Sequence, residues 1–318
     1  MLTNVIYVIV GLIGLGLGGN FLIKGASRLA RALGISNLII GLTVVALGTS
    51  APELIVSLDA AINASSDVAL GNVIGSNIAN IGLILALAAL ISPIALKWNL
   101  LRREIIVVVM ASLLMLVFAL DGEISRLDGI VLVASFLAYV GFVYRQGQQE
   151  RADIEPEISQ FEKASSFTAP SRAIIEIGRV IVGLVGLVIG ARLLVDGSVS
   201  IARAIGVSDL LIGLTLVAVG TSLPELATSF IAAFRKENDI VVGNIVGSNI
   251  SNIFFILGVV AIVQPIPVSA NSQTLDLPVM VGFAALLIPL ALRGVLKGVV
   301  AVGFLVLYGG YIAISFLR

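Results

Sequence analysis

One stretch of this chain is written twice. Leu38–Glu53, LIIGLTVVALGTSAPE, returns as Leu210–Glu225, LLIGLTLVAVGTSLPE, and GNVIGSNIAN at 71–80 returns as GNIVGSNISN at 243–252. Both pairs are separated by the same 172 residues, so the two halves are copies of one unit with no net insertion between the motifs. Any fold for this chain has to place two related halves.

The medium follows from composition. The chain is 58% hydrophobic and 12% charged over 318 residues, with a mean hydropathy of +1.13. That is far from a water-facing surface and implies a lipid bilayer as solvent. A hydrocarbon core of roughly 30 Å takes about 20 apolar residues per helical crossing. Apolar runs at 5–32, 36–62, 68–91, 104–120, 127–144, 174–204, 208–234, 240–263, 275–292 and 296–316 predict ten transmembrane helices. Residues 1–144 form the first repeat, the polar stretch 145–173 a linker, and 174–318 the second repeat. The expected fold is an all-α polytopic membrane protein.

Five crossings per repeat is an odd number, so the second copy enters from the opposite face and the repeats are inverted. Lysine and arginine concentrate on the face of the 145–173 linker, at Arg31, Arg102, Arg103, Arg145, Arg151, Arg235, Lys236, Arg293 and Lys297 among others. The opposite face carries only Arg126, Arg203 and Arg318. The positive-inside rule then makes the linker cytoplasmic and puts both termini outside. Net charge is zero with no basic run, which excludes nucleic acid as a partner, and no obligatory protein partner is implied. Cysteine and histidine are absent, which removes thiolate and imidazole metal sites and leaves oxygen ligands.

GTSAPE (48–53) and GTSLPE (220–225) each interrupt an apolar run. Read as mid-helix residues, Pro52 and Pro224 leave the carbonyls of Gly48 and Gly220 without an amide partner. Hydroxyls of Thr49, Ser50, Thr221 and Ser222 and the carboxylates of Glu53 and Glu225 add hard oxygens of the kind calcium and sodium prefer. An ionised carboxylate at mid-membrane costs about 2.5–3.5 kcal/mol on insertion scales, and neither motif holds a lysine or arginine. Two negative charges match one divalent ion, two monovalent ions or two protons, which is the arithmetic of exchange. In the second motif, Ser76 and Asn80, and likewise Ser248 and Asn252, lie four apart on one helical face and can present oxygens to the same ions. Asn77 and Asn249 suit packing and ligation equally. Lys24 aligns with Asp196 across the repeat.

The paired GTS-x-PE and GN-x-x-GSN-x-x-N motifs, over Gly41–Asn80 and Gly213–Asn252, resemble those of the cation/calcium antiporter superfamily, specifically prokaryotic sodium/calcium exchangers with two alpha-repeats. The resemblance implies a secondary antiporter of a prokaryotic inner (plasma) membrane that exchanges sodium for calcium by alternating access. It implies calcium held by Glu53, Glu225 and the carbonyls of Thr49 and Thr221. Sodium would be held by the carbonyls of Ala46 and Ala218, the hydroxyls of Thr49, Thr221, Ser50, Ser222, Ser76 and Ser248, and the same glutamates. The first and sixth helices would slide past a bundle of eight, with Gly11, Gly14, Gly16, Gly18, Gly19, Gly183, Gly186 and Gly190 as a smooth sliding face. Some members carry aspartate where this chain has Asn252, and two amides at Asn80 and Asn252 resemble the potassium-independent branch. Calcium/proton exchange on the same scaffold is the alternative. A channel is disfavoured because no selectivity loop lies outside the helices, and an enzyme because no His or Lys accompanies the motif's serines and carboxylates. No cofactor is expected beyond the transported calcium and sodium ions.

Overall fold

In the computed structural model the described residues are 2–63, 66–96, 98–163, 169–205 and 220–317. They form eleven main helices: α1 Leu2–Leu33, α2 Asn37–Thr49, α3 Ala51–Ile62, α4 Asp67–Ile91, α5 Trp98–Phe118, α6 Arg126–Lys163, α7 Ala169–Ala204, α8 Leu223–Phe234, α9 Asn238–Val263, α10 Ser272–Arg293 and α11 Gly298–Phe316. Among the described residues eight of these are long and apolar enough to cross a membrane, or nine if α2 and α3 count as one span. The run expected at 208–234 lies partly outside the described residues, at 208–219, and Ala218 with it.

Large apolar side chains face outward and polar ones inward, the arrangement a lipid solvent selects. On α1, Ile6, Ile9, Ile13 and Leu17 are exposed at helical spacing, whereas Thr49, Glu53, Ser57, Asn80, Glu225, Ser229 and Asn244 are buried. Helix α6 runs on to Lys163, well past the apolar run that ends at 144. Glutamine, glutamate and arginine after Tyr144 are good helix formers, so the helix outlasts the hydrophobic signal.

The chain divides into two compact units, Met1–Thr49 with Tyr139–Asn244, and Ser50–Ala138 with Ile245–Arg318. Each draws on both copies of the repeat. In the first unit α1 and α7, repeat counterparts, run antiparallel with backbones in contact. A Cβ on Gly11 would lie 2.6 Å from Leu194 N, and one on Gly18 2.6 Å from Leu187 N, while Gly14 meets Gly190 at 3.0 Å. Only residues without a Cβ permit this approach. The glycines expected to form a sliding face thus mostly join the two helices to each other. Gly19 instead meets Ile231 of α8, and Gly16 meets nothing within 4 Å. Arg28 and Arg179 both pair with Glu176 beside this interface. Asp196, which aligns with Lys24 in sequence, pairs with Arg192 one turn back at 3.9 Å.

The second unit shows the inversion in its backbone. Short strands β1 Ile94–Leu96 and β4 Gly294–Leu296 pair antiparallel, as do β2 Glu123–Ile124 and β3 Ile266–Pro267. Ile94 opposes Leu296, and the residues 172 positions away, Ile266 and Ile124, oppose each other. The two ribbons are therefore repeat counterparts with the same register. Because α5 runs from β1 to β2 and α10 from β3 to β4, these counterpart helices must run in opposite directions. Gly122 and Gly294, also counterparts, close them with φ of 91° and 86°, a conformation that a side chain would strain.

Candidate cation site

Both GTS-x-PE motifs leave helical geometry at the serine. Ser50 has φ −81° and ψ 5°, and Ser222 φ −86° and ψ 7°, so neither continues α geometry. A new helix starts at the next residue, with the serine carbonyl accepting its first bond: Leu54 N to Ser50 O at 3.2 Å and Leu226 N to Ser222 O at 3.0 Å. This corrects the expectation of a proline inside a continuous helix. Pro52 and Pro224 occupy the first turn of α3 and α8, where a missing amide hydrogen costs nothing because that donor has no partner in the helix.

The break also places Glu53 and Glu225 in the first turn of their helices. There the partial positive charge of the helix N-terminus favours a carboxylate by about 0.3–1 kcal/mol, up to about 2 in partly buried settings. That offsets only part of the cost of an ionised carboxylate at mid-membrane, about 2.5–3.5 kcal/mol. Each glutamate is 1% exposed.

In the first unit, Thr221, Ser222 and Glu225 at the start of α8 are buried together with Ala46 and Thr49 at the end of α2. Thr49 Oγ1 lies 3.3 Å from Ala46 O and donates to Asn244 Oδ1 at 3.1 Å. Asn244 Nδ2 donates in turn to Ser229 Oγ at 3.2 Å and Glu225 O at 3.5 Å. In the second unit, Ser50 and Glu53 at the start of α3 are buried, as are Ser76 and Asn80 on α4 and Ser248 and Asn252 on α9. Asn72 Nδ2 donates to Ser57 Oγ at 2.9 Å and Glu53 O at 3.2 Å. Every residue singled out for the site is buried, apart from Ala218, which lies outside the described residues.

Asn80 and Asn252 also fall in π-helical turns, Asn80–Leu85 and Ser251–Leu257. The wider turn shifts the hydrogen-bond ladder by one residue and recurs at functional sites. Asn80 Nδ2 donates to Asn249 Oδ1 at 2.9 Å, and Asn249 Nδ2 reaches Asn77 O at 3.4 Å. Asn77 itself donates to Val73 O at 2.7 Å. Oδ1 of Asn77, Asn80 and Asn252 and Oγ of Ser248 are buried without a hydrogen bond among the described residues. Among the described residues no three acidic, histidine or cysteine side chains come together.

Asn72, Asn244, Ser57 and Ser229 were not singled out from the sequence. The signal was present: Asn72 extends the Ser76–Asn80 spacing one turn back, and Asn244 extends Ser248–Asn252 in the same way.

Antiparallel repeat counterparts, apolar outer faces and a twice-written motif of buried carboxylate, hydroxyl and amide oxygens define a polytopic membrane protein built to handle hard cations. The family model described as sodium/calcium exchanger protein matches residues 3–145 and 175–317. The chain belongs to the sodium/calcium exchanger family. It is 39% identical to the putative antiporter CaxA of Alkalimonas amylolytica, over 92% of this chain and 91% of that one. It is 33% identical to the sodium/calcium exchanger MaX1 of Methanosarcina acetivorans, over 90% of each. Among solved structures, the sodium-calcium exchanger NCX_Mj, soaked with sodium and no calcium, superposes with a TM-score of 0.86 at 36% identity, covering 100% of this chain and 99% of that one.

Proposed function

We propose that the chain is a secondary antiporter that exchanges sodium for calcium across the membrane by alternating access. The observation that carries this reading is the duplicated, fully buried glutamate in the first turn of its helix, in a chain of the sodium/calcium exchanger family. Glu53 and Glu225 carry the charge that calcium neutralises and that sodium ions neutralise in its place. Carbonyls of Thr49 and Thr221 complete the calcium ligands. Sodium uses the carbonyls of Ala46 and Ala218 and the hydroxyls of Thr49, Thr221, Ser50, Ser222, Ser76 and Ser248, with Asn80 and Asn252 as amide neighbours.

The same reading has ten crossings, as two inverted repeats over 1–144 and 174–318, joined by a cytoplasmic linker at 145–173 with both termini outside. The protein resides as a multi-pass protein in the inner (plasma) membrane and works without a cofactor or an obligatory protein partner. It has no enzymatic reaction to perform.

The test is calcium uptake into vesicles holding the purified protein, under an imposed sodium gradient or an imposed pH gradient. Uptake is expected with the sodium gradient, and is expected to vanish in Glu53→Gln and Glu225→Gln while both variants remain folded. Uptake driven by the pH gradient alone would replace sodium with protons as the counter-ion. Retained sodium-driven uptake in both variants would overturn the site.

A further inference from the structure

The clamp on the backbone of each glutamate occurs twice with the same atoms. Asn72 Nδ2 bonds Glu53 O and Ser57 Oγ in the second unit, and Asn244 Nδ2 bonds Glu225 O and Ser229 Oγ in the first. Each serine lies one turn beyond its glutamate, so each asparagine grips the first two turns of the glutamate's helix at once. Asn244, Ser57 and Ser229 are fully buried. An amide with both donors committed to one helix wall holds that helix at one height and one rotation.

The gripping residue stands on the helix that carries the second motif. Asn72, Ser76 and Asn80 are spaced by four, as are Asn244, Ser248 and Asn252, so in each copy one helical face carries all three. In the second unit this ties α3 to α4, fixing the height of Glu53 against the turn that presents Ser76 and Asn80. In the first unit Asn244 also accepts the Thr49 hydroxyl at 3.1 Å, which fixes the rotamer of a side chain beside the helix break.

We infer that Asn72 and Asn244 are positioning residues for the cation site: by hydrogen-bonding the carbonyl of Glu53 and Glu225 and the serine one turn further on, they set the carboxylates at the separation from the neighbouring oxygens that calcium requires. The inference rests on the proposed ion site at these glutamates. Partners that orient a metal ligand from behind typically cost about 10–100-fold in metal affinity when removed. Calcium carries twice the charge of sodium, and dividing its favourable energy over fixed carboxylates makes its binding the more sensitive to their displacement. Loss of the clamp therefore weakens calcium more than sodium.

The experiment measures half-saturating calcium and half-saturating sodium for exchange in vesicles, for Asn72→Ala, Asn244→Ala, Ser57→Ala and Ser229→Ala, with Glu53→Gln as control. The asparagine variants are expected to raise half-saturating calcium about tenfold or more, with half-saturating sodium moving by much less and thermal unfolding of the purified protein showing a single folded species. The serine variants, each losing one of the two bonds, are expected to show the same calcium-over-sodium asymmetry at smaller size. They carry the test if an asparagine variant fails to fold. Equal shifts for both ions, or none, in every folded variant would overturn the positioning role. If Glu53→Gln exchanges calcium normally, the ion site itself fails; if it is inactive and the clamp variants are unaltered, only the present inference fails.

Discussion

Asn80 donates to Asn249 at 2.9 Å, whereas Asn252, which stands where Asn80 stands in the other repeat, makes no hydrogen bond through either amide atom among the described residues. Symmetry would have Asn252 donate to Asn77, but Asn77 turns its own amide to Val73 O. Four asparagines related in pairs by one offset thus adopt two different arrangements within one unit. The repeat is duplicated in sequence and unequal in bonding.

This asymmetry separates two substitutions that look alike in sequence. Asn249→Ala strands the buried Asn80 donor and is expected to lower stability by about 1–3 kcal/mol. Asn252→Ala removes a buried polar group that makes no bond, which is neutral or stabilising for the fold, and its effect should fall on ion exchange instead. Thermal unfolding of the detergent-purified variants, read beside calcium uptake, checks both. An Asn252→Ala variant as destabilised as Asn249→Ala would contradict the observed bonding.

The glycine interface of α1 and α7 makes a similar contrast. Gly18→Ala would put a Cβ 2.6 Å from Leu187 N and 2.9 Å from Gly183 O, both backbone atoms that cannot swing aside. Separation of the helices is expected to cost about 1–3 kcal/mol or more. Gly16→Ala meets open space, and alanine's better helix propensity, worth about 0.8–1 kcal/mol, makes it neutral or stabilising. The two melting temperatures should move in opposite directions or differ by several degrees.

The ribbon register can be read chemically, because the chain has no cysteine of its own. Ala95 opposes Val295 across the β1–β4 pair. Directly opposed residues of an antiparallel pair have Cα atoms about 4.5–5.5 Å apart, within the range a disulfide spans. Ala95→Cys with Val295→Cys should oxidise to a crosslinked monomer, visible as a mobility shift that reductant reverses. The link joins two strands of the same compact unit, so calcium uptake should survive it.

Glu237, after α8, accepts from Ser27 Oγ at 3.2 Å and Asn37 Nδ2 at 2.8 Å, tying α1 and α2 to one carboxylate. Glu237→Ala removes both bonds to a charged acceptor and is expected to destabilise the protein by about 1–3 kcal/mol. Ser27→Ala, which leaves the shorter bond in place, should cost less. Chemical or thermal unfolding of both variants measures the order; the reverse order would contradict a stabilising role for the Glu237 carboxylate.

Much of the fold and of the site was legible along the chain, because each signal was local. The 172-residue offset shows in the letters of GTSAPE and GTSLPE, the bilayer in the apolar runs, and the cation chemistry in Glu53 and Glu225 beside hydroxyls. Residues chosen on those grounds are buried wherever they are described. Legibility ended where two readings satisfy the same letters. A proline in an apolar run marks either a kink within a helix or the first turn of a new one, and only the backbone at Ser50 and Ser222 separates them. The polar run after 144 reads as a linker by hydropathy and is helical to Lys163, since water supports a helix of good formers as well as a coil.

The sequence by itself determined that this chain is two copies of one membrane-embedded unit with a carboxylate in each. Tertiary structure alone decided which glycines touch which, that Asn72 and Asn244 grip the glutamate backbones, and that Asn80 is bonded while Asn252 is not. The physical reason is that spacing along a helix says which side chains share a face but not what lies opposite. Inside a bilayer each polar group must find its partner within the protein, so the choice belongs to neighbours distant in the chain.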